Sequence, residues 1–507
     1  MIAGSANDGV KADSHPPDNS GALSPQAAFR PGAAVVVLSL MALAVSVLYS
    51  GVSHGDDTFI YLRYVKNFVD GHGLTFNIGE ASFGVTSFLW TLLLAGPASV
   101  LGTSVWVAKA ASWGAFAALA FLVWRVLVRS RLPRHLALLL GACVLLEPHL
   151  LRWSGSGMEN SLVALAVLTL LAGWPVNEGS PRHFVIWSVL AGLAPLVRPE
   201  LSILVAVLFL EWIFAENFHP SARWWKAAAL AAFALGVGLL AARYAMGSWL
   251  PQTVEAKRLA LHQLDPFYAL KQVALIIGSG ALPLVMVSLV SLRIPEFRRL
   301  LRPALIYTGV VAAYLAIQNQ LVATRYGVSL EFPIVLAFAL AMAMSERPIK
   351  GALPSLVAQL VLAIGMLVYM FPSTRVDVGG NVRAFADSAR ELTKPTARIA
   401  LTEVGAFGFF SDRYIIDLVG LVDSAALDWI REYGRPRTTE ELETLLARRC
   451  ATHYVETFGA ATPLVGRTLR FKVIEERELK SSNLSGGALK VDRWRLYRLD
   501  GQECGRP

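Results

Sequence analysis

The chain has 507 residues and a net charge of +9, with 55% hydrophobic residues and only 16% charged ones, against about a quarter charged in ordinary globular domains. Its mean hydropathy is +0.50, and the apolar residues come in long blocks, not in amphipathic stripes. That combination excludes a soluble single-core enzyme and the fibrous and disordered classes, and it predicts a polytopic α-helical membrane protein.

Residues 1–32 are polar, with Lys11 and Arg30 as their only lysine and arginine, and read as a disordered cytoplasmic tail. The apolar block that follows, 33–51, has no clear small-residue cleavage site after it and reads as a signal anchor. Uncharged runs such as Ala33–Ser53, Gln272–Leu292, Pro303–Ala323 and Gly351–Thr374 each reach the ~20 residues a bilayer span needs. Further spans are expected near 104–127, 135–151, 160–175, 183–197, 201–216, 225–244, 268–291, 303–319, 327–344 and 351–371, which makes about 11 in all. Thr86–Gly102 is apolar but short and broken by Gly96-Pro97. If that segment lies in the interface or re-enters, the basic clusters at Arg125–Arg134, Arg182, Arg223 with Lys226, Arg293–Arg302 and Arg347 with Lys350 all fall on the cytoplasmic side, as the positive-inside rule favours. The same rule, not nucleic-acid affinity, accounts for the basic balance.

With that topology the loops 52–103, 152–159, 198–200, 245–267 and 320–326 face outward, as does everything after about residue 372. They carry the ionisable residues that are unusual at membrane depth: Asp56, Asp57, Arg63, Glu159, Arg198, Glu200, Lys257 and Arg325. Such residues are functional candidates by default, and their convergence points to one outer site. Residues 373–507 are charged and turn-rich and read as a small extracytoplasmic α/β domain. Strands are expected at Ala397–Thr402, Tyr414–Leu418, His453–Thr457 and Trp494–Leu499, and a helix at Thr439–Arg449 capped by Thr438 or Thr439. Cys450 and Cys504 are a candidate disulfide pair in an oxidising compartment, and Cys143 is a small buried residue. No Cys/His metal or redox spacing occurs and no cofactor is expected; His54 and His72 read as loop residues, with a divalent metal beside them as the lesser alternative.

The most informative stretch is His54–Glu80, HGDDTFIYLRYVKNFVDGHGLTFNIGE. Phe59, Leu62, Val65 and Val69 share one helical face and Gly71 or Gly73 can end the helix, which predicts a surface-lying helix that opens on Asp56 and Asp57. Acidic residues there cap a helix and complement its dipole. Two adjacent carboxylates at a membrane boundary, with Arg63 two turns on, also suit chemistry.

This block resembles the first outer loop of GT-C-type integral membrane glycosyltransferases, and more narrowly the bacterial group that includes the mycobacterial terminal arabinofuranosyltransferase. Further similar stretches follow in order: SGMEN at Ser156–Asn160, VRPE at Val197–Glu200, GSWLPQTVEAK at Gly247–Lys257, RYGVSLEFP at Arg325–Pro333 and IIDLVGLVD at Ile415–Asp423. Departures at Ala81–Thr86, Asn160, Leu201 and Gln252 leave the sugar and acceptor open. The resemblance implies transfer of a sugar from a polyprenyl-phosphate donor to a glycan, lipid or protein hydroxyl at the outer face of a bacterial inner membrane, with inversion. Asp57 or Asp56 would serve as the base. Arg198, Arg325 and Lys257 would meet the lipid phosphate, Arg63 would pair with one of the aspartates, Glu159 and Glu200 would bond sugar hydroxyls, and Trp249 would stack on the sugar. Trp90, Trp106 and Trp113 read as interfacial belt residues. A transporter of lipid-linked glycans would instead gather polar groups at mid-bilayer, and a non-catalytic glycan-binding relative would not need the aspartate pair.

Overall fold

The computed structural model describes residues 31–50, 55–174, 180–345, 351–374, 377–458, 471–482 and 489–499. The expected tail, His54 and Cys504 lie outside the described residues. Seven helices among them are long and apolar enough to cross a membrane: Ala33–Ser50, Val105–Arg129, Ala222–Met246, Tyr268–Ser291, Pro295–Gln318, Thr324–Met344 and Ala352–Thr374. Four shorter apolar helices, Arg134–Leu145, Asn160–Gly173, Pro181–Val197 and Leu201–Ala215, fall on the remaining expected spans. Without water, every backbone group must find its partner inside the segment, which is why uncharged blocks of Leu, Ala and Val become helices. Serines cap several of them: Ser104 accepts from the Val107 N–H and Ser221 from the Trp224 N–H.

Thr324–Met344 is the central post, with 94% of its apolar window buried against 22–44% in the other six. Its neighbour Tyr268–Ser291 is broken at Ala281 (φ −145°), two residues before Pro283. Proline removes a helical donor there, and the Gly280 carbonyl, next to the break at Ala281, accepts from Gln359 Nε2 at 2.6 Å. The segment Phe88–Leu101 is a helix of 14 residues with Ser87 as its N-cap. At ~1.5 Å per residue it is too short for a ~30 Å hydrocarbon core.

The C-terminal part holds a five-stranded sheet of order β2-β1-β3-β5-β4. Strands β1 (Arg398–Leu401), β2 (Tyr414–Asp417) and β3 (His453–Phe458) run parallel, with Ile399 facing Ile415 in the β1/β2 register. Strands β4 (Phe471–Ser482) and β5 (Leu489–Leu499) add an antiparallel hairpin beside β3. The helix Thr439–Arg448 carries a full capping box between Thr438 and Glu441, close to its expected bounds.

The helix Asp56–Val69 does not lie on the surface. Every residue from Thr58 to Val65 is buried, so its polar face is covered as well as its apolar one. The helix Val404–Ser411 of the C-terminal part packs on it, and Phe59 meets the Phe409 and Phe410 rings at 5.6 and 5.1 Å between centroids. Gly84, in the loop that follows, fits only without a side chain: a Cβ there would stand 2.6 Å from Val422 Cγ1 and 2.7 Å from Tyr64 Oη.

Candidate active site

Successive residues of an α-helix point about 100° apart, so the two carboxylates that open Asp56–Val69 diverge. Asp56 turns to the C-terminal part, where its two oxygens accept the backbone N–H groups of Gly405 (2.9 Å) and Ala406 (2.8 Å) in the first turn of Val404–Ser411. Gly405 has to be glycine, because a Cβ there would sit 2.0 Å from the Asp56 carbonyl oxygen. Burial pushes the Asp56 carboxyl up to about 6; Asp57 adds to the rise and the two N–H groups oppose it.

Asp57 turns toward the bundle and forms an ion pair with Arg325. Burial alone would push its carboxyl up, but the fields of Arg325, Lys257 and Arg198 outweigh that and hold it below the usual carboxylate range. Its side chain is 34% exposed, so the carboxylate is both ionised and reachable.

Asp57 opens into a polar cavity lined also by Tyr61, Thr86, Glu159, Arg198, Lys257 and Arg325. Two of the charges come from helix ends, Glu159 before Asn160–Gly173 and Arg198 after Pro181–Val197, and Glu200 beside them precedes Leu201–Ala215. Arg198 is buried between carboxylates, its Nε 2.7 Å from Glu200 and its Nη1 3.5 Å from Glu159, with the Tyr326 ring 5.3 Å from its guanidinium carbon. Lys257 differs from both arginines. It lines the cavity with no ion pair or hydrogen bond among the described residues.

Thr86, Arg198, Thr253 and Lys257 also line a second cavity of about 200 Å³, whose other walls include Ile203, Val311, Tyr314 and Leu315. A charged chamber and a largely apolar chamber therefore share one wall, with Lys257 on it.

Five expected residues, Asp57, Glu159, Arg198, Lys257 and Arg325, are thus brought together, and Glu200 joins them through Arg198. Three are not. Arg63 does not pair with Asp56 or Asp57; it is 5% exposed and donates to the carbonyls of Phe76 (3.1 Å), Gly408 and Arg413 (3.0 Å), with Asp412 at 3.6 Å. It braces the C-terminal part because it projects from the covered face of the helix, away from Asp57. Asp56 is occupied as described. Trp249 stays half exposed and lines neither cavity. Trp90 is buried, not interfacial, and its indole N–H donates to the Gly157 carbonyl at 3.1 Å. His72 is exposed in the turn after the helix.

Sequence reasoning missed Tyr61, Thr86, Thr253 and Tyr326. Thr86 and Tyr326 lie in or beside segments already singled out, but nothing in their type marks them. It also missed the buried Lys109, whose ammonium donates to the Ser50 and Gly155 carbonyls at 2.8 and 2.7 Å. A lone lysine inside an apolar block was the available signal.

A domain of unknown function, DUF8728, matches residues 363–479. Among curated proteins none matches the sequence. Solved structures do resemble this one. ArnT from Cupriavidus metallidurans, bound to undecaprenyl phosphate, superposes with a TM-score of 0.58 at 13% identity, over 90% of this chain and 97% of that one. The Archaeoglobus fulgidus oligosaccharyltransferase, tethered to an acceptor peptide, gives 0.50 at 12% identity over 85% and 69%. The arabinofuranosyltransferase AftD from Mycobacteria gives 0.49 at 12% identity, over 92% of this chain and 40% of that longer one. The chain has a GT-C-like fold.

Proposed function

We propose that this protein transfers a sugar from a polyprenyl-phosphate donor to an acceptor hydroxyl at the outer face of a bacterial inner membrane. The observation that carries the reading is the pair of joined chambers. One holds an ionised, reachable Asp57, the other offers about 200 Å³ of largely apolar space, and Lys257, with no ion pair or hydrogen bond among the described residues, stands on their common wall. A lipid phosphate has that polarity: an isoprenoid tail for the apolar chamber and an anionic head for Lys257, with Arg325 close by. The ArnT structure, of like fold, holds undecaprenyl phosphate.

In this reading the Asp57 carboxylate accepts the proton of the acceptor hydroxyl as its oxygen attacks the anomeric carbon. The bond from that carbon to the phosphate oxygen breaks, and the lipid phosphate leaves with the electron pair and an extra negative charge. Lys257 neutralises the developing charge, and displacement from the opposite side inverts the configuration. Glu159 and Glu200 fix Arg198 and present carboxylate oxygens to sugar hydroxyls. The C-terminal part, from about residue 373, is extracytoplasmic and borders the acceptor path.

The test uses the full chain in nanodiscs with a panel of polyprenyl-phosphate sugars. Wild type should bind one donor and, with acceptor present, consume it. Asp57→Asn should bind that donor without consuming it, and Lys257→Ala should bind it at least about tenfold more weakly. Failure of wild type to bind any such lipid would overturn the proposal.

A further inference from the structure

Away from these chambers, Glu147, His149 and Glu331 meet inside the bundle. They are 0%, 1% and 0% exposed, and one ligand-type atom from each lies within 4.8 Å of the other two. Glu147 caps the short helix Pro148–Trp153, accepting the His149 and Leu150 N–H groups at 3.1 and 2.6 Å. The His149 tautomer follows from its neighbour. Ser279 gives its hydroxyl proton to the Ile276 carbonyl at 3.1 Å, so its oxygen accepts the Nε2–H of His149, also at 3.1 Å. That leaves a bare lone pair on Nδ1.

Nδ1 of His149 is buried with no hydrogen-bond partner among the described residues, and both carboxylate oxygens of Glu331 are buried with none there except the Glu147 carboxyl beside them. Two glycines make room for them. A Cβ on Gly280 would stand 2.5 Å from Glu331 Oε1, and one on Gly327 would stand 2.6 Å from the same oxygen and 2.7 Å from the His149 Cβ. The nearby Arg152 is turned elsewhere, donating to Ser373 Oγ at 2.6 Å and lying on the Trp153 ring. Three acceptors thus face one another in an apolar interior, where unpaired polar groups cost several kcal/mol each (about 1–3 even with partial compensation).

We propose that Glu147, His149 and Glu331 bind one divalent ion of the zinc class, which fastens the Arg325 segment to the strand of chain leading to Glu159. Two carboxylates and a neutral imidazole are a donor set suited to Zn²⁺, Mn²⁺ or Fe²⁺, and the double negative charge is cancelled by the ion. The Ser279 contact is the kind that orients a ligating histidine through its other nitrogen. Arg325 and Tyr326 run directly into Gly327–Leu330 and Glu331, while Pro148–Trp153 runs into the turn ending at Glu159. Trp153 already ties the two stretches, its indole N–H donating to Thr324 Oγ1 at 3.1 Å. The ion touches no substrate; its residues are positioning residues for Arg325 and Glu159.

The full chain, purified in detergent without added metal, should carry about one equivalent of such an ion by elemental analysis. Stripping it with a chelator should lower the melting temperature, and Zn²⁺ should restore it. The isosteric Glu331→Gln should lose the ion and the Zn²⁺ response, whereas His72→Ala should keep both. Ser279→Ala, which leaves the packing intact should Glu331→Gln not fold, should weaken binding about 10–100-fold. A wild type free of metal whose melting is unmoved by Zn²⁺ or Mn²⁺ would overturn the site. So would a Glu331→Gln as stable as wild type, the outcome expected if the two glutamates share a proton instead. None of these measurements uses a donor sugar, so the site stands or falls apart from the transfer reaction.

Discussion

Two neighbouring carboxylates, one residue apart, have been given opposite surroundings: Asp56 takes two backbone N–H groups of another segment, and Asp57 faces three cations. Asp57→Asn should therefore lower turnover by at least about 10², while Asp56→Asn, which keeps an acceptor oxygen for one of the two N–H groups, should retain most of it. Because Asp57 is held below the usual carboxylate range, it stays ionised through neutral and mildly acidic pH. The acid limb of kcat/KM should lie below the usual carboxylate range, and Arg325→Gln should move that limb upward. The stability effects have opposite signs. The depressed Asp57 contributes stability above the ordinary carboxylate range and loses it as pH falls through its folded-state value. Asp56, raised to about 6, protonates first in the folded protein, so its contribution grows as pH falls from about 6 to 4. A plot of melting temperature against pH for Asp56→Asn, set beside wild type, checks this: wild type should gain on the variant across that window.

At the scale of elements, the site depends on how Val404–Ser411 seats against Asp56–Val69. Gly405→Ala forces a Cβ against the Asp56 backbone at 2.0 Å, and should loosen the C-terminal part, seen as faster proteolysis between 374 and 404 and reduced turnover. Phe407→Ala, at a fully buried position, should cost about 3–5 kcal/mol. The spans were legible in the sequence because lipid leaves the backbone one solution, and β1, β2 and β3 because short apolar runs mark buried parallel strands. Strand β4 was not. It reads Phe-Lys-Val-Ile-Glu-Glu-Arg-Glu-Leu-Lys-Ser-Ser, and an edge strand with so many charges shows no apolar run to find. The burial of Asp56–Val69 was hidden for a different reason: its polar face is covered by residues some 340 positions away. Arg63 was misread on the same account, since its partners are mainly carbonyls, which any sequence offers everywhere. The cluster at Asp57 was legible because charged side chains are conspicuous in loops between apolar blocks.

For the whole molecule, the proposed topology of about eleven crossings would place the start of the first helix and the sheet on opposite sides of the membrane. Cysteines introduced at His183 and Leu264, both exposed, should be labelled by an impermeant reagent from opposite faces, His183 from the cytoplasm. Labelling of both from one face would remove the outer location of the site. The bracket between Asp56 and Gly405–Ala406 joins positions 349 and 350 residues apart. A ribosome must therefore deliver about four-fifths of the polypeptide before Asp56 meets the two N–H groups it accepts. Until then the inserted intermediate keeps a pair of adjacent carboxylates without that restraint, and a chain truncated before residue 404 should embed in the membrane and transfer no sugar, which an activity assay of the truncated chain checks. If the proposed transfer reaction holds, the last fifth of the chain, 404–507, arms the enzyme, and half-made copies should leave lipid carriers untouched.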